Sequence, residues 1–110
     1  MIEVLNQEYN FDFDEKRKLS MVESFYKYGS VKENYKTFKT IDAVATLKKK
    51  LQMYEDTGNI DFLIDVGNYA MIEFTYSLHP NAHYFHTDTG KSEVVGMSVN
   101  EIKEFKESEM

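Results

Sequence analysis

The sequence predicts an all-α fold: a compact bundle of about four helices, with a long ordered loop after the central helix and an N-terminus that could be extended. Three observations predict it. Apolar residues recur at three- and four-residue intervals in several segments. Acidic or hydroxyl capping boxes precede those segments, and glycines follow them. With 110 residues, 42% of them hydrophobic, the chain has the material for one core, so residues 1–110 read as a single helical domain.

The first helix opens at Asp12 or Asp14 as N-cap, with Glu15 completing a box from Asp12, and stops at Gly29. On a helical wheel Leu19, Met21, Val22, Phe25 and Tyr26 share a face with Glu23 at its edge, and that face is expected to pack inward. Ser30-Val31-Lys32-Glu33 is a second box, opening a short helix to about Phe38, after which Thr40 is expected to cap the next. From Ile41 to Tyr54 the stripe Val44, Leu47, Leu51 and Tyr54 is apolar, Lys48, Lys49 and Lys50 lie largely outside it, and Thr57-Gly58 breaks the helix.

The following segment, Ile60 to about Ser77, is apolar almost all round, as a helix buried on most sides should be; Gly67 and Ala70 would admit a neighbour closely. Apolar side chains on so many sides also leave room for pairing with a second copy of the chain. Pro80 ends the helix, and residues 79–97 read as an ordered loop, with Glu93-Val94-Val95 extended. Ser98-Val99-Asn100-Glu101 opens a short last helix to about Lys106, and the first thirteen residues either pair as a strand or wrap the bundle.

The chain has no cysteine, which excludes disulfides, thiolate metal sites and cysteine nucleophiles and suits a reducing compartment. The N-terminal stretch lacks the basic and apolar parts of a signal peptide, and no apolar run nears membrane-spanning length, so the expected location is the cytoplasm, away from membranes. The net charge of −6 is divided unevenly. Residues 1–15 carry five acids and no base, residues 16–50 ten bases and three acids, and residues 51–110 eleven acids and three bases. Either these segments neutralise one another across helix contacts, or they form a two-faced surface that steers a charged partner.

Asp61, Asp65 and Asn68 recur at i, i+4 and i+7 on the central helix, with Glu73 about 80° from Asp65 on the wheel. Carboxylates on one side of a bundle helix can hold Mg²⁺ if a facing helix adds another, such as Glu23. The structural alternative gives Asp61 to the helix dipole, Asp65 to a lysine and Asn68 to a neighbouring backbone group. His79, His83 and His86, with Asp88 nearby, have spacing compatible with a transition-metal loop, while histidines beside a proline turn also cap helix ends. The segment from Lys16 to Lys50 interleaves lysines with Phe25, Tyr26, Tyr28, Tyr35 and Phe38, a composition able to bind nucleic acid. Overall acidity, and the absence of a phosphate loop or nucleic-acid motif, argue against direct nucleic-acid binding.

Leu63-Ile64-Asp65-Val66, followed by an amide and an aromatic, resembles the second metal-binding helix of the MazG-like all-α nucleotide pyrophosphohydrolases over roughly residues 59–75. The resemblance implies Mg²⁺ and nucleotide chemistry, but Phe62 stands where that motif has a glutamate, and Glu23 lacks its acidic neighbour. Tyr54-Glu55-Asp56-Thr57-Gly58-Asn59, Asp65-Val66-Gly67-Asn68-Tyr69 and His79-Pro80-Asn81-Ala82-His83 together resemble short phage and prophage proteins of Gram-positive bacteria. That likeness implies a phage setting in a bacterial host and no particular activity.

Two functions follow. The first is a small acidic interaction protein without a cofactor, engaging a host or phage protein with a basic surface. It would act as an inhibitor of a host defence nuclease of the anti-CRISPR kind. The alternative is a Mg²⁺-dependent nucleotide pyrophosphohydrolase, or a non-catalytic nucleotide-binding relative. There Asp65 with Glu73, Asp61 or Glu23 would hold the metal, and lysines the phosphates.

Overall fold

The computed structural model describes residues 1–86, and the expected Glu93–Val95 extended stretch, Asp88 and the 98–106 helix lie outside them. The described residues form five helices and no strand. These are α1 (Ile2–Glu8), α2 (Phe11–Tyr28), a π-helix (Lys32–Thr37), α3 (Ala43–Thr57) and α4 (Asp61–Tyr76). The expected all-α class is the observed one, and no helix among the described residues is long and apolar enough to cross a membrane.

The N-terminal segment is neither a strand nor a wrapping arm: it forms α1, and extended backbone at Tyr9 and Asn10 separates it from α2. Asn10, not Asp12 or Asp14, caps α2, its side chain accepting from the Phe13 N–H at 2.8 Å. The two aspartates sit one residue or more inside the helix, where they meet its positive end and reach forward to cations. Asp12 takes Lys16 at 2.7 Å, and Asp14 takes Arg17 at 2.7 Å. Gly29 ends α2 as expected, at a φ of 86° that a residue with a side chain rarely adopts.

Beyond Gly29 the Ser30 capping box does not form. Asn34 ties the turn instead, its side-chain amide donating to the Tyr28 carbonyl at 2.7 Å. The Phe38 N–H reaches back five residues to the Glu33 carbonyl at 2.8 Å, which makes the turn a π-helix. Thr40 donates both its N–H and its hydroxyl to the Asn34 carbonyl, each at 2.8 Å, so it cannot cap α3. Asp42 does so, accepting from the Ala45 N–H at 3.0 Å. This tightly bonded connection seats Tyr35, only 1% exposed, against Ala43 and Ile72, with Val31, Ile41, Tyr69 and Tyr76 around them.

Helix α3 lies against α4 in the most extensive helix contact of the described fold, on only part of the stripe that the sequence marks: Leu47 and Tyr54 are half-buried. Val44 and Leu51 are exposed, whereas Ala43 is buried and Lys50 is half-buried. The inward face is shifted toward Ala43, which is fully buried in one cluster with Tyr35 and Ile72. Gly58, in the left-handed region at a φ of 72°, then stops α3 and lets the chain reverse into α4.

On α4 the buried stripe is Ile64, Asn68 and Ile72, at i, i+4 and i+8. Gly67 provides the expected close approach: a Cβ there would lie 2.8 Å from Arg17 Cδ and 3.1 Å from Phe13 Cζ. Ala70, expected to do the same, is exposed. Helix α4 ends before Pro80, at Tyr76. There the Ser77 hydroxyl donates to the Glu73 carbonyl at 2.7 Å, and the Leu78 N–H to Glu73 Oε1 at 3.2 Å.

The largest departure concerns α2. Of the five residues expected to face inward only Met21 is half-buried; Leu19, Val22, Phe25 and Tyr26 are each more than half exposed. Arg17, Ser20, Met21 and Ser24 face α4 instead. Two local demands on α4 account for this. The approach at Gly67 accepts only side chains that can fold flat or are short, and the buried Asn68 needs a hydrogen-bond partner, which the Arg17 carbonyl supplies.

Candidate functional site

The polar side chains of α4 were the sequence's strongest candidates for chemistry, and the fold places each in a different setting. Asp61 is exposed in the first turn, its own N–H held by the Asn59 side chain at 3.0 Å. Its carboxylate therefore sits beside the positive end of the α4 dipole. Asp65 meets Lys50 of α3 at 3.3 Å, both side chains about one-third exposed. The turn of α3 that leaves Val44 in solvent is what brings Lys50 inward. Lys50 also stands over the Phe62 ring, 5.7 Å from its centre. Thus Phe62, at the position where the pyrophosphohydrolase motif carries an acid, helps to hold the cation that occupies Asp65.

Asn68 is the one buried polar residue among those described, 5% exposed. Its Nδ2 donates to the Arg17 carbonyl at 3.2 Å, which fixes the amide orientation because a carbonyl can only accept. The Oδ1 atom then has no partner among the described residues. Glu73 has one carboxylate oxygen on the Leu78 N–H and the other buried with no partner among the described residues. Glu23 is exposed on the outward side of α2, about 40° from Leu19 on the wheel and away from α4.

These residues also line separate clefts. Asp65 and Asn68 border a pocket of about 110 Å³ between α2, the π-helix and α4, together with Ser20, Ser24 and Tyr69. That is well below the roughly 300 Å³ at which small-molecule sites begin. Asp61 lines an open cleft of about 340 Å³ beside Asp12 and Lys16. Glu73 borders a groove of about 440 Å³ that also holds Lys39, Asp42 and His79. No three His, Asp or Glu side chains among the described residues are grouped as a metal site.

In the histidine segment His79 and His83 are engaged locally. His79 Nδ1 accepts from the Asn81 N–H at 2.9 Å, and His83 Nδ1 lies 2.8 Å from the Asn81 carbonyl. His86 is exposed. The bonds to Asn81 order the turn after Pro80 and set His79 and His83 on either side of it.

Two groups that the sequence reading did not single out shape this region. Arg17 lies flat across Gly67, 5.6 Å from the centre of the Phe13 ring, and is tied to Asp14 at 2.7 Å. Partial burial pushes the Asp14 carboxyl up, but its hydrogen bond to Arg17 and the charge of Lys18 outweigh this and hold it below its ordinary value. Ser20 and Ser24, at i and i+4 opposite a helix containing Gly67, were the available signal for the inward face of α2. Comparison of the chain with known protein families, curated proteins and solved structures gave no match.

Proposed function

We propose that this chain is a small acidic interaction protein that occupies a basic surface on another protein. The supporting observation is that its charge division survives folding. Glu3, Glu8, Glu15 and Glu23 on α1 and α2 are exposed and form no ion pair among the described residues. Of the lysines that likewise lack a carboxylate among them, Lys32 and Lys36 lie on the π-helix, Lys39 in the connection after it, Lys48 and Lys49 on α3, and Lys27 alone on α2. Among the described residues only Lys50–Asp65 links two helices, and the other ion pairs are internal to α2. Exposed carboxylates on helices that also expose aromatic rings can steer a basic partner and then anchor it.

The phage-like motifs give this binding a setting, inhibition of a host defence nuclease through its nucleic-acid-binding surface. The test is capture from bacterial lysate on the immobilised full chain, in parallel with a Glu3→Lys, Glu8→Lys, Glu23→Lys variant. A basic partner should be retained at low salt and released as salt rises. The variant should fail to retain it, and adding the wild-type chain should suppress nucleic-acid cleavage by the recovered partner. Retention that is the same at about 50 mM and 500 mM salt, beyond what screened exposed charges allow, would refute the electrostatic reading.

A further inference from the structure

The outward face of α2 is an apolar surface that the described chain leaves uncovered. Phe11 is 56% exposed, Leu19 55%, Val22 53%, Phe25 55% and Tyr26 82%. Aromatic side chains present about 150–250 Å² each, so the five together expose on the order of 500 Å². That is at the upper end of the largest patch a monomer usually shows, about 300–600 Å².

The stripe running through this face is symmetric in a way that selects its occupant. Phe11, Glu15, Lys18 and Val22 follow one another at intervals of four, three and four residues. They therefore share one side of the helix, and along it the order is apolar, acid, base, apolar. Set antiparallel to an identical helix, with the two-fold axis level with the Lys16–Arg17 peptide, the stripe is complementary to itself. Phe11 meets the partner's Val22 and Glu15 meets the partner's Lys18, and the axis repeats both contacts. A parallel arrangement would instead set Glu15 against Glu15 and Lys18 against Lys18.

Both charged groups are available for this. Glu15 has no cation within the described chain. Lys18 is 69% exposed and only 3.5 Å from Asp14, whose shorter contact, at 2.7 Å, is with Arg17. We propose that the outward face of α2 is the interface of an antiparallel homodimer of this chain. The pairing does not depend on the proposed binding of a basic partner; it engages Glu15 and leaves Glu3, Glu8 and Glu23 outside the central stripe.

Sedimentation velocity on the full chain, from a few micromolar to hundreds, tests it with four proteins: wild type, Glu15→Lys, Lys18→Glu and the double exchange. Both substituted positions, Glu15 and Lys18, are exposed, so circular dichroism should show the same helix content throughout. The wild type should dimerise. Each single exchange places like charges opposite one another twice and should weaken the dimer by about tenfold or more, and the double exchange should restore it. A wild type that stays monomeric at every concentration overturns the proposal and assigns the face to another part of the chain or to a different protein. Single exchanges without effect, or a double exchange that does not restore pairing, overturn it equally. Retention of a basic partner by the Lys18→Glu monomer would leave the proposed function standing while the dimer is tested separately.

Discussion

Replacing Gly67 by alanine sets two well-defined effects against each other. In an unpacked helix the change would stabilise by about 1 kcal/mol, because glycine loses more backbone freedom on folding. Here the new Cβ would lie 2.8 Å from Arg17 Cδ and 3.1 Å from Phe13 Cζ, both inside ordinary contact distance. Arg17 cannot simply swing aside. Its guanidinium is tied to Asp14 at 2.7 Å and stacked on Phe13, and its carbonyl is held by Asn68 at 3.2 Å. Overpacking against such a constrained neighbour costs about 1–3 kcal/mol, so Gly67→Ala should be destabilising by roughly 0–2 kcal/mol net. Urea unfolding followed by circular dichroism measures this directly. Thermal unfolding should show a lower midpoint, by about 4–8 °C for each kcal/mol in a domain of this size. In an Arg17→Ala background the tighter of the two contacts is gone while Phe13 remains at 3.1 Å, so the same substitution should be less destabilising there than in the wild-type chain. If Gly67→Ala stabilises the wild-type chain by about 1 kcal/mol, the close approach of α2 to α4 does not exist and the inward face assigned to α2 is wrong.

Asn68 and Asp14 provide two further tests. Asn68→Asp places a carboxylate in a 5% exposed site and removes the donor to the Arg17 carbonyl, and should cost about 3 kcal/mol or more. Asn68→Leu, which keeps the branched side-chain skeleton, deletes the Oδ1 that has no partner among the described residues and should cost clearly less than Asn68→Asp; equal losses in the two variants would show that the amide itself is not what matters. The Asp14 carboxyl titrates below its ordinary 3.8 in the folded chain, so the unfolded chain binds the proton first as pH falls. Its contribution is therefore complete above that value and is lost as pH drops through the lower folded one. The stability difference between wild type and Asp14→Asn should shrink between about pH 5 and pH 2, and a difference independent of pH would remove Asp14 from the α2 ion-pair set.

The helices themselves were legible in the sequence because their signals are local. Gly29 and Gly58 stop α2 and α3 where the pattern placed them, and the apolar run after Ile60 is the central helix. Caps were less legible, since Asn10 and Asp42 compete with nearby residues of the same chemistry. The winner depends on which carboxylates or hydroxyls are already engaged: Asp12 by Lys16, Thr40 by the Asn34 carbonyl. The structural alternative for the polar seam, a lysine for Asp65 and a backbone group for Asn68, was also stated from the sequence. Naming Lys50 and the Arg17 carbonyl required the fold.

What the sequence determined by itself is the periodicity: which residues of each segment share a face, and where the backbone must stop or turn. What only the tertiary structure decided is which face meets which. Apolar area alone would have turned Leu19, Val22, Phe25 and Tyr26 inward. Close packing at Gly67 and the need of buried Asn68 for a carbonyl turned Arg17, Ser20 and Ser24 inward instead. Such demands are short-ranged and arise only when two helices are already in contact, so no single helix carries them in its own pattern. The same rotation leaves on the surface of α2 the apolar stripe that a second copy of the chain can cover.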